Sequence, residues 1–403
     1  MNTKSTLTLM APTLILAGGL WALVGEKAAP TWQRQLLTQD FLTEGVSLGD
    51  LNGDGKPDLV AGAYWFAGPD FAKAIPYRPA TPWKVKGYAE DSFLSWVDDL
   101  DGDGHEDILM VSRPGNEATW YRNPGKEPSP SWEAHRVAEG VATECPEWTD
   151  LTGDGRPELV YMEKGRFGFA EPNWEDATQP WKFHPISEVV ANTPYVHGMG
   201  IGDVNGDGRA DLLEKGGWFE QPDNPKQKWK HHSYAFSKSR GGAQMLTEDW
   251  DGDGDNDVVT SLDGHGYGLA WYENKGVDEN GEVKFEAREI LPENPAEQGV
   301  GGLQFSQLHA LVAADLNGDG RRDFVTGKRY WAHNGNDPGA DGPALLVGFL
   351  NRKDAAGIRW EAVVIDSDSG VGCQVQALDL DGDGRSEIAS GNKKGVSLFR
   401  QAL

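Results

Sequence analysis

Asp50-Leu51-Asn52-Gly53-Asp54-Gly55-Lys56-Pro57-Asp58 is the first of seven copies of one nine-residue pattern, Asp-x-[Asp/Asn/Thr]-Gly-Asp-Gly-x-x-[Asp/Glu]. The other copies begin at Asp99, Asp150, Asp203, Asp249, Asp315 and Asp379. A hard cation such as calcium takes six to eight oxygens at roughly 2.3–2.6 Å, and carboxylates at alternate positions of a tight loop supply them. In the first copy the side-chain ligands would be Asp50, Asn52, Asp54 and Asp58, with the carbonyl of Lys56 between them. The sister sets are Asp99, Asp101, Asp103, Asp107; Asp150, Thr152, Asp154, Glu158; and Asp203, Asn205, Asp207, Asp211. They continue with Asp249, Asp251, Asp253, Asp257; Asp315, Asn317, Asp319, Asp323; and Asp379, Asp381, Asp383, Glu387. The sixth position is always Gly, as a chain wrapping a small ion at positive φ requires. Thr152 withdraws a carboxylate, so the third loop should bind most loosely.

Working outward from the loops, each copy sits in a larger repeat. Before it runs a short segment such as Val196–Gly202, and after it a buried-strand pattern such as Leu59-Val60 or Ile108-Leu109. An aromatic strand follows (Trp65-Phe66, Trp120-Tyr121, Trp218-Phe219, Trp271-Tyr272, Tyr330-Trp331), and then a fourth segment opening with Trp83, Trp132, Trp181, Trp229, Phe285 or Trp360. Four short β-rich segments per repeat, divided by Gly/Asp/Pro turns, predict an all-β, seven-bladed β-propeller of four-stranded blades. The last repeat ends after its third strand, Val396–Phe399, while Trp32–Leu37 carries the fourth-strand pattern. The N-terminal strand should therefore complete the last blade, sealing the ring and covering its edges. Extra length falls in two insertions, around Val277–Gly302 and His333–Pro343.

The loops and aromatic strands resemble FG-GAP/VCBS repeats, which build integrin-α-like propellers; the resemblance spans residues 31–403. More loosely, Val196–Pro222 and Gly327–Ala340 resemble the propeller portion of the aldos-2-ulose dehydratase family and its bacterial relatives, without that family's cupin domains. That second resemblance implies a carbohydrate-directed protein, and no catalytic residue is transferred from it.

The net charge of −26 follows from the loops, because 24 of the 63 acidic residues hold ligand positions and the other 39 nearly balance 37 Lys and Arg. No basic stripe offers a nucleic acid a footprint. Residues 1–30 read as a targeting segment, with Lys4 ahead of the largely apolar Leu7–Val24. A cleaved signal peptide is the first reading and an uncleaved membrane anchor the alternative. Both place residues 31–403 outside the cytoplasm, with the membrane touched only through such an anchor. Cys145 and Cys373 are too few to staple the fold, and bound ions would do it instead.

Calcium loops join the innermost strand to the next on one face, so function should gather on the other face. Six residues before each loop stand Glu44, Phe93, Glu144, His197, Ala243, His309 and Cys373. Glu44, Glu144, His197 and His309 could hold zinc or another divalent ion at the channel mouth; the alternative is that they satisfy each other and water. The predicted rim of that face carries Arg113, Lys164, Lys215, His265, Tyr267, Lys328, Arg329, His333 and Lys393. The rim suits an anionic or polyol ligand. His135, His184 and His232 each follow a fourth-strand Trp by three residues and read as structural. No nucleophile elbow is present, and neither Cys has a His placed by motif.

Three functions fit these residues. One is a carbohydrate lyase or dehydratase working by β-elimination, with His197, His309 or His333 as base and Arg113, Lys328, Arg329 or a central ion holding the developing charge. The second is a non-catalytic glycan- or protein-binding propeller. The third is a calcium-stabilised scaffold with a bare channel mouth.

Overall fold

The structure is a computed structural model that describes residues 30–79, 82–125, 129–242, 244–355 and 357–402. The expected targeting segment lies outside these residues except for Pro30, and so does Ala243. The described chain is all β apart from two short 3₁₀ turns, Val300–Gly302 and Ala332–Gly335. Among the described residues no helix is long and apolar enough to cross a membrane.

Five sheets have four antiparallel strands, and a sixth has seven because Glu133–Thr149 runs unbroken from the outside of the second repeat into the inside of the third. In every repeat the acidic loop follows the innermost strand and leads into a buried one, as at Ser47–Gly49 and Asp58–Ala61. These second strands are buried throughout in the first two repeats because both faces are covered by neighbouring sheets. Trp32–Thr38 pairs antiparallel with Gly395–Gln401, Trp32 opposite Gln401 and Leu36 opposite Ser397. The first described strand is thus the outer strand of the last sheet.

Two strand assignments from sequence are corrected. Tyr330-Trp331 is not the third strand of the sixth repeat; Leu346–Asp354 is, and Trp331 sits in a left-handed turn of the connection before it. Phe349 takes the expected aromatic place, against Phe324. Trp83 does not open the first repeat's fourth strand, which is the three-residue Ala74–Pro76. An aromatic pair marks a blade strand only where the pattern continues on both sides, and at Trp331 it does not.

The apolar cores lie between sheets. One unites Leu109 and Trp120 with Leu159 and Tyr161; others unite the third repeat with the fourth, the fourth with the fifth, and the fifth with the sixth. Val325 and Leu346 pack with Ile388 and Phe399 of the last repeat. Ala389 and Leu398 of that repeat pack in turn with Leu59 and Phe66 of the first, which meets the second through Val60, Trp65 and Ile108. Side-chain amides add a polar latch from one repeat to the one before it. Asn123 donates to Leu51 O at 2.8 Å, Gln221 to Leu151 O at 2.7 Å, Asn274 to Val204 O at 3.0 Å and Asn351 to Trp250 O at 2.6 Å.

Each latch residue also ties its loop down. The ninth-position carboxylate accepts N–H bonds from the second loop residue and from the third strand, as when Asp107 receives Leu100 N at 3.1 Å and Asn123 N at 2.7 Å. The first loop carboxylate folds the turn over itself: Asp99 accepts the N–H groups of Gly102, Asp103 and Gly104 at 2.8–3.1 Å. At the sixth position φ lies between 81° and 101° in all seven loops, a region only Gly enters without a Cβ penalty.

His135, His184 and His232 stack on Trp120, Phe169 and Trp218 at ring separations of 4.9, 5.2 and 4.2 Å. Each also meets a carboxylate of its own sheet, and they fill the structural role read from their recurrence.

Candidate functional site

Carboxylates converge at the loops. One oxygen each from Asp99, Asp101 and Asp107 lie within 4.8 Å of one another, as do those of Asp150, Asp154 and Glu158 and those of Asp249, Asp251 and Asp253. Burial raises the ninth-position acids: Asp58 to about 6, and Asp107, Glu158, Asp211, Asp257 and Asp323 to about 7. Backbone N–H bonds oppose this but do not cancel it.

At the opposite ends of the innermost strands lies a cavity of about 690 Å³. Among its lining residues are Glu144, inside the long Glu133–Thr149 strand, and His197, just ahead of Met199–Gly202, with Lys215, His265, Arg329 and His333 from the connections between second and third strands. Glu144, His197, His265 and His309 are all buried, and each offers an atom within 4.8 Å of the other three. His309 donates Nδ1–H to Gly264 O at 2.9 Å, which leaves its Nε2 facing Glu144. That nitrogen stands 2.7 Å from Glu144 Oε2. Arg329 Nη1 lies 2.9 Å from that nitrogen and 3.0 Å from that oxygen. Arg329 Nη2 lies 3.4 Å from Glu44, and the guanidinium rests over the Phe93 ring at 5.4 Å. Four of the ring-position residues, Glu44, Phe93, Glu144 and His309, therefore surround one guanidinium, and Cys373 Sγ lies 3.9 Å from Glu144.

Burial works to raise the Glu144 carboxyl, but His197, His309 and Arg329 outweigh it and hold it well below the usual carboxylate range. Burial pushes His197 down to about 4 against the pull of Glu144, so its ring is neutral at pH 7. Its Nε2 has no hydrogen-bond partner among the described residues, although Glu144 Oε1 lies 3.6 Å away. Burial, with His309 and His197 adding to it, pushes His265 far down as well.

Of the residues proposed from sequence, His197, Arg329, His333 and Arg113 line the cavity, and His309 lies beneath it, bonded to Glu144. Arg113 is paired with Glu90 at 3.1 Å. Lys328 is not among the lining residues: its buried amino group bonds Gly339 O and Ser306 Oγ, and so anchors the 333–343 insertion. Glu44 meets Arg329 but is not in the cluster of donor atoms; His265 takes that place. Sequence places His265 only on the rim, because it lies off the strand-start position that the repeat marks. Asp337 escaped sequence reading entirely, since the insertion that carries it has no sister copy.

Strain also collects here. Seven described non-glycine residues have positive φ, and Thr143, Gln307, Trp331, His333 and Asn334 adjoin or form this site. Thr143 immediately precedes Glu144 at φ 78°, a costly conformation for a β-branched residue. Such strain costs on the order of 1–3 kcal/mol per residue and clusters where function demands a fixed geometry.

Sheets of this order, with loops on one face and a cavity on the other, define a β-propeller. The family model described as FG-GAP-like repeat matches residues 99–161 and 249–326, and that described as FG-GAP repeat matches residues 43–72. These stretches carry FG-GAP-type repeats, and the sheets around them are those of a β-propeller. No curated protein matches its sequence. Among solved structures, BBS1N in complex with ARL6DN is 11% identical, with a TM-score of 0.52 over 93% of this chain and 98% of that one. That likeness is one of fold alone. An Agrocybe aegerita lectin specific for non-reducing terminal N-acetylglucosamine is 17% identical, with a TM-score of 0.49 over 93% and 86%. The exotype rhamnogalacturonan lyase YesX is 14% identical, with a TM-score of 0.47 over 91% and 72%.

Proposed function

We propose that the protein is an extracytoplasmic, calcium-binding, seven-bladed propeller whose cavity takes a carbohydrate and eliminates across it. The observation that carries this reading is the buried cluster of Glu144, three imidazoles and Arg329 beneath a cavity of about 690 Å³. The cyclic order of the apolar cores, in which the last repeat packs on the first, supports a closed ring of seven blades. The loops fit calcium: they offer carboxylates in close groups, on turns that backbone N–H bonds and Gly already hold in a wrapped shape.

The donor set at the centre is of the kind a zinc-type ion takes, although Arg329 Nη1 stands between His309 and Glu144. Its donors are nitrogen and carboxylate, His197 Nε2 is buried without a partner, and both oxygens of Glu44 lack hydrogen bonds among the described residues. Glu144, His197, His265 and His309 would hold it. When bound, such an ion supplies Lewis-acid stabilisation of an enolate oxygen. The chain's own residues do the rest. Arg329 is a fixed cation at the cavity floor for a carbonyl or carboxylate oxygen. His333, half-exposed at the mouth, is placed to take the proton next to that carbonyl. The C–O bond β to it then breaks, a carbon–carbon double bond forms, and the leaving oxygen takes up a proton. His197, neutral and weakly basic, serves better as a hydrogen-bond or metal partner than as the base.

The test is absorbance of unsaturated product from uronic and keto sugars, with His197→Ala, His309→Ala and His333→Ala compared with wild type. Full activity in all three variants removes the proposal. A second reading, a non-catalytic glycan-binding propeller, is favoured by Arg329, whose Nη1 already occupies the gap between His309 and Glu144. Calcium-dependent glycan binding with no product formed would establish that reading instead.

A further inference from the structure

Asp337 lies in the insertion of the sixth repeat, its side chain only 10% exposed. One of its oxygens meets His265 Nδ1 at 3.2 Å and Gln307 Nε2 at 3.1 Å, and the other meets His333 Nδ1 at 3.0 Å. The two imidazoles stack on each other at 4.2 Å, 29° from parallel. An ionised carboxylate only accepts hydrogen bonds, so both Nδ1 atoms must carry hydrogen. Each neutral ring is then left with Nε2 as its acceptor. Both rings line the cavity, and that of His265 lies 4.8 and 5.0 Å from those of His197 and His309.

The backbone around this contact is held against its preference. Trp331, His333 and Asn334 have φ of 57°, 44° and 57°, and Gln307 has 64°. Lys393 Nζ holds Trp331 O at 3.1 Å, and the Asn336 amide holds His333 O at 2.7 Å. His265, Gln307 and His333 thus converge on one carboxylate.

We infer that Asp337 is a positioning residue that locks His265 and His333 in the Nδ1–H tautomer, so that both present Nε2 as an acceptor to the ligand in the cavity. The lock itself needs no ligand. Its consequence for the cavity rests on the function proposed above, and the two are tested separately.

The first measurement uses the metal-free wild-type protein, labelled with ¹⁵N-histidine, and reads tautomers from long-range ¹H–¹⁵N correlations near pH 7. His265 and His333, identified by their Ala variants among the nine histidines, should both show Nδ1–H patterns. In Asp337→Asn the amide can accept from one ring only and must donate to the other, so one of the two should change to Nε2–H. Asp337→Ala should release both. A wild-type spectrum with either ring in the Nε2–H form overturns the lock, and so do unchanged tautomers in Asp337→Ala.

The second measurement is cobalt(II) titration of the same proteins. Loss of an outer-shell carboxylate should weaken the central site 10–100-fold, with Asp337→Glu recovering part of the loss. Altered tautomers with unaltered cobalt affinity would reduce Asp337 to a structural residue. Cobalt binding absent from the wild type, with the tautomers as stated, would overturn the central ion and the positioning of its ligands while leaving the lock intact.

Discussion

Removing metal should invert the protein's response to pH. The ninth-position carboxylates are buried and accept backbone N–H bonds, yet burial still raises five of them to about 7 and Asp58 to about 6. An acid whose folded pKa lies above its unfolded value favours folding when protonated. Its contribution is therefore present at pH 4 and lost as pH rises to 7. One pKa unit is worth about 1.4 kcal/mol, so an Asp raised from 3.8 to about 7 loses roughly 4 kcal/mol across that range. Two or three such groups, undiminished, would remove most of the 5–15 kcal/mol that stabilises a typical domain. Calcium bound as proposed would reverse the balance by taking the ionised form, adding roughly 2.7 kcal/mol per site at a hundredfold excess over Kd. The assay is scanning calorimetry from pH 4.5 to 7.5, in metal-stripped buffer and in millimolar calcium. The metal-free Tm should fall as pH rises, and the gap between the two series should widen steadily. A gap independent of pH, or a metal-free protein more stable at pH 7 than at pH 5, would refute the reasoning.

Arg329→Met should cost about 3–5 kcal/mol at pH 7, because it leaves Glu44 and Glu144 buried without their cation; urea denaturation should show a smaller loss at pH 5, where protonation relieves the uncompensated charge. Lys328→Met should lower Tm and make the 333–343 segment sensitive to protease, since its ammonium ties Ser306 to Gly339; a protease pattern like wild type would count against that anchor. Deleting residues 31–38 strips the outer strand from the last sheet and exposes the Gly395–Gln401 edge. The truncated chain should aggregate or unfold without cooperativity by light scattering and circular dichroism, and a sharp, monomeric transition would refute the role given to that strand.

Most of the fold was legible in sequence because it is written seven times. The loop at Asp50 could be an ordinary turn, but its repetition at fixed distance from Leu59-Val60, Ile108-Leu109 and their counterparts identifies strand, loop and strand together. The same repetition located half of the site: aligning residues six before each loop picked out Glu144, His197 and His309, which the structure brings together. It could not indicate Arg329 as the group they surround. It also misplaced Tyr330-Trp331, where the sixth repeat leaves the pattern and the chain turns left-handed. His265 and Asp337 meet across 72 positions of sequence through a contact with no sister elsewhere. Periodicity reports what repeats, and this side of the cavity is built from what does not.

Gln307 shows how that departure is made. Eight residues before its loop the fifth repeat has Gly241 at φ 89°, and eight before its own the sixth has Gln307 at φ 64°. The blade geometry accepts a left-handed residue at this point, and Gly provides it without a Cβ penalty. The sixth repeat accepts the penalty and gains an amide whose Nε2 holds Asp337, while its carbonyl receives Arg329 N at 2.8 Å. A residue chosen for stability alone would be Gly in both places. The strain at Gln307 therefore belongs with that at Thr143, beside Glu144, and at His333: each spends backbone energy to hold a side chain of the cavity in place, and the calcium-type loops at the other face, where Gly fills the left-handed positions, need none of it.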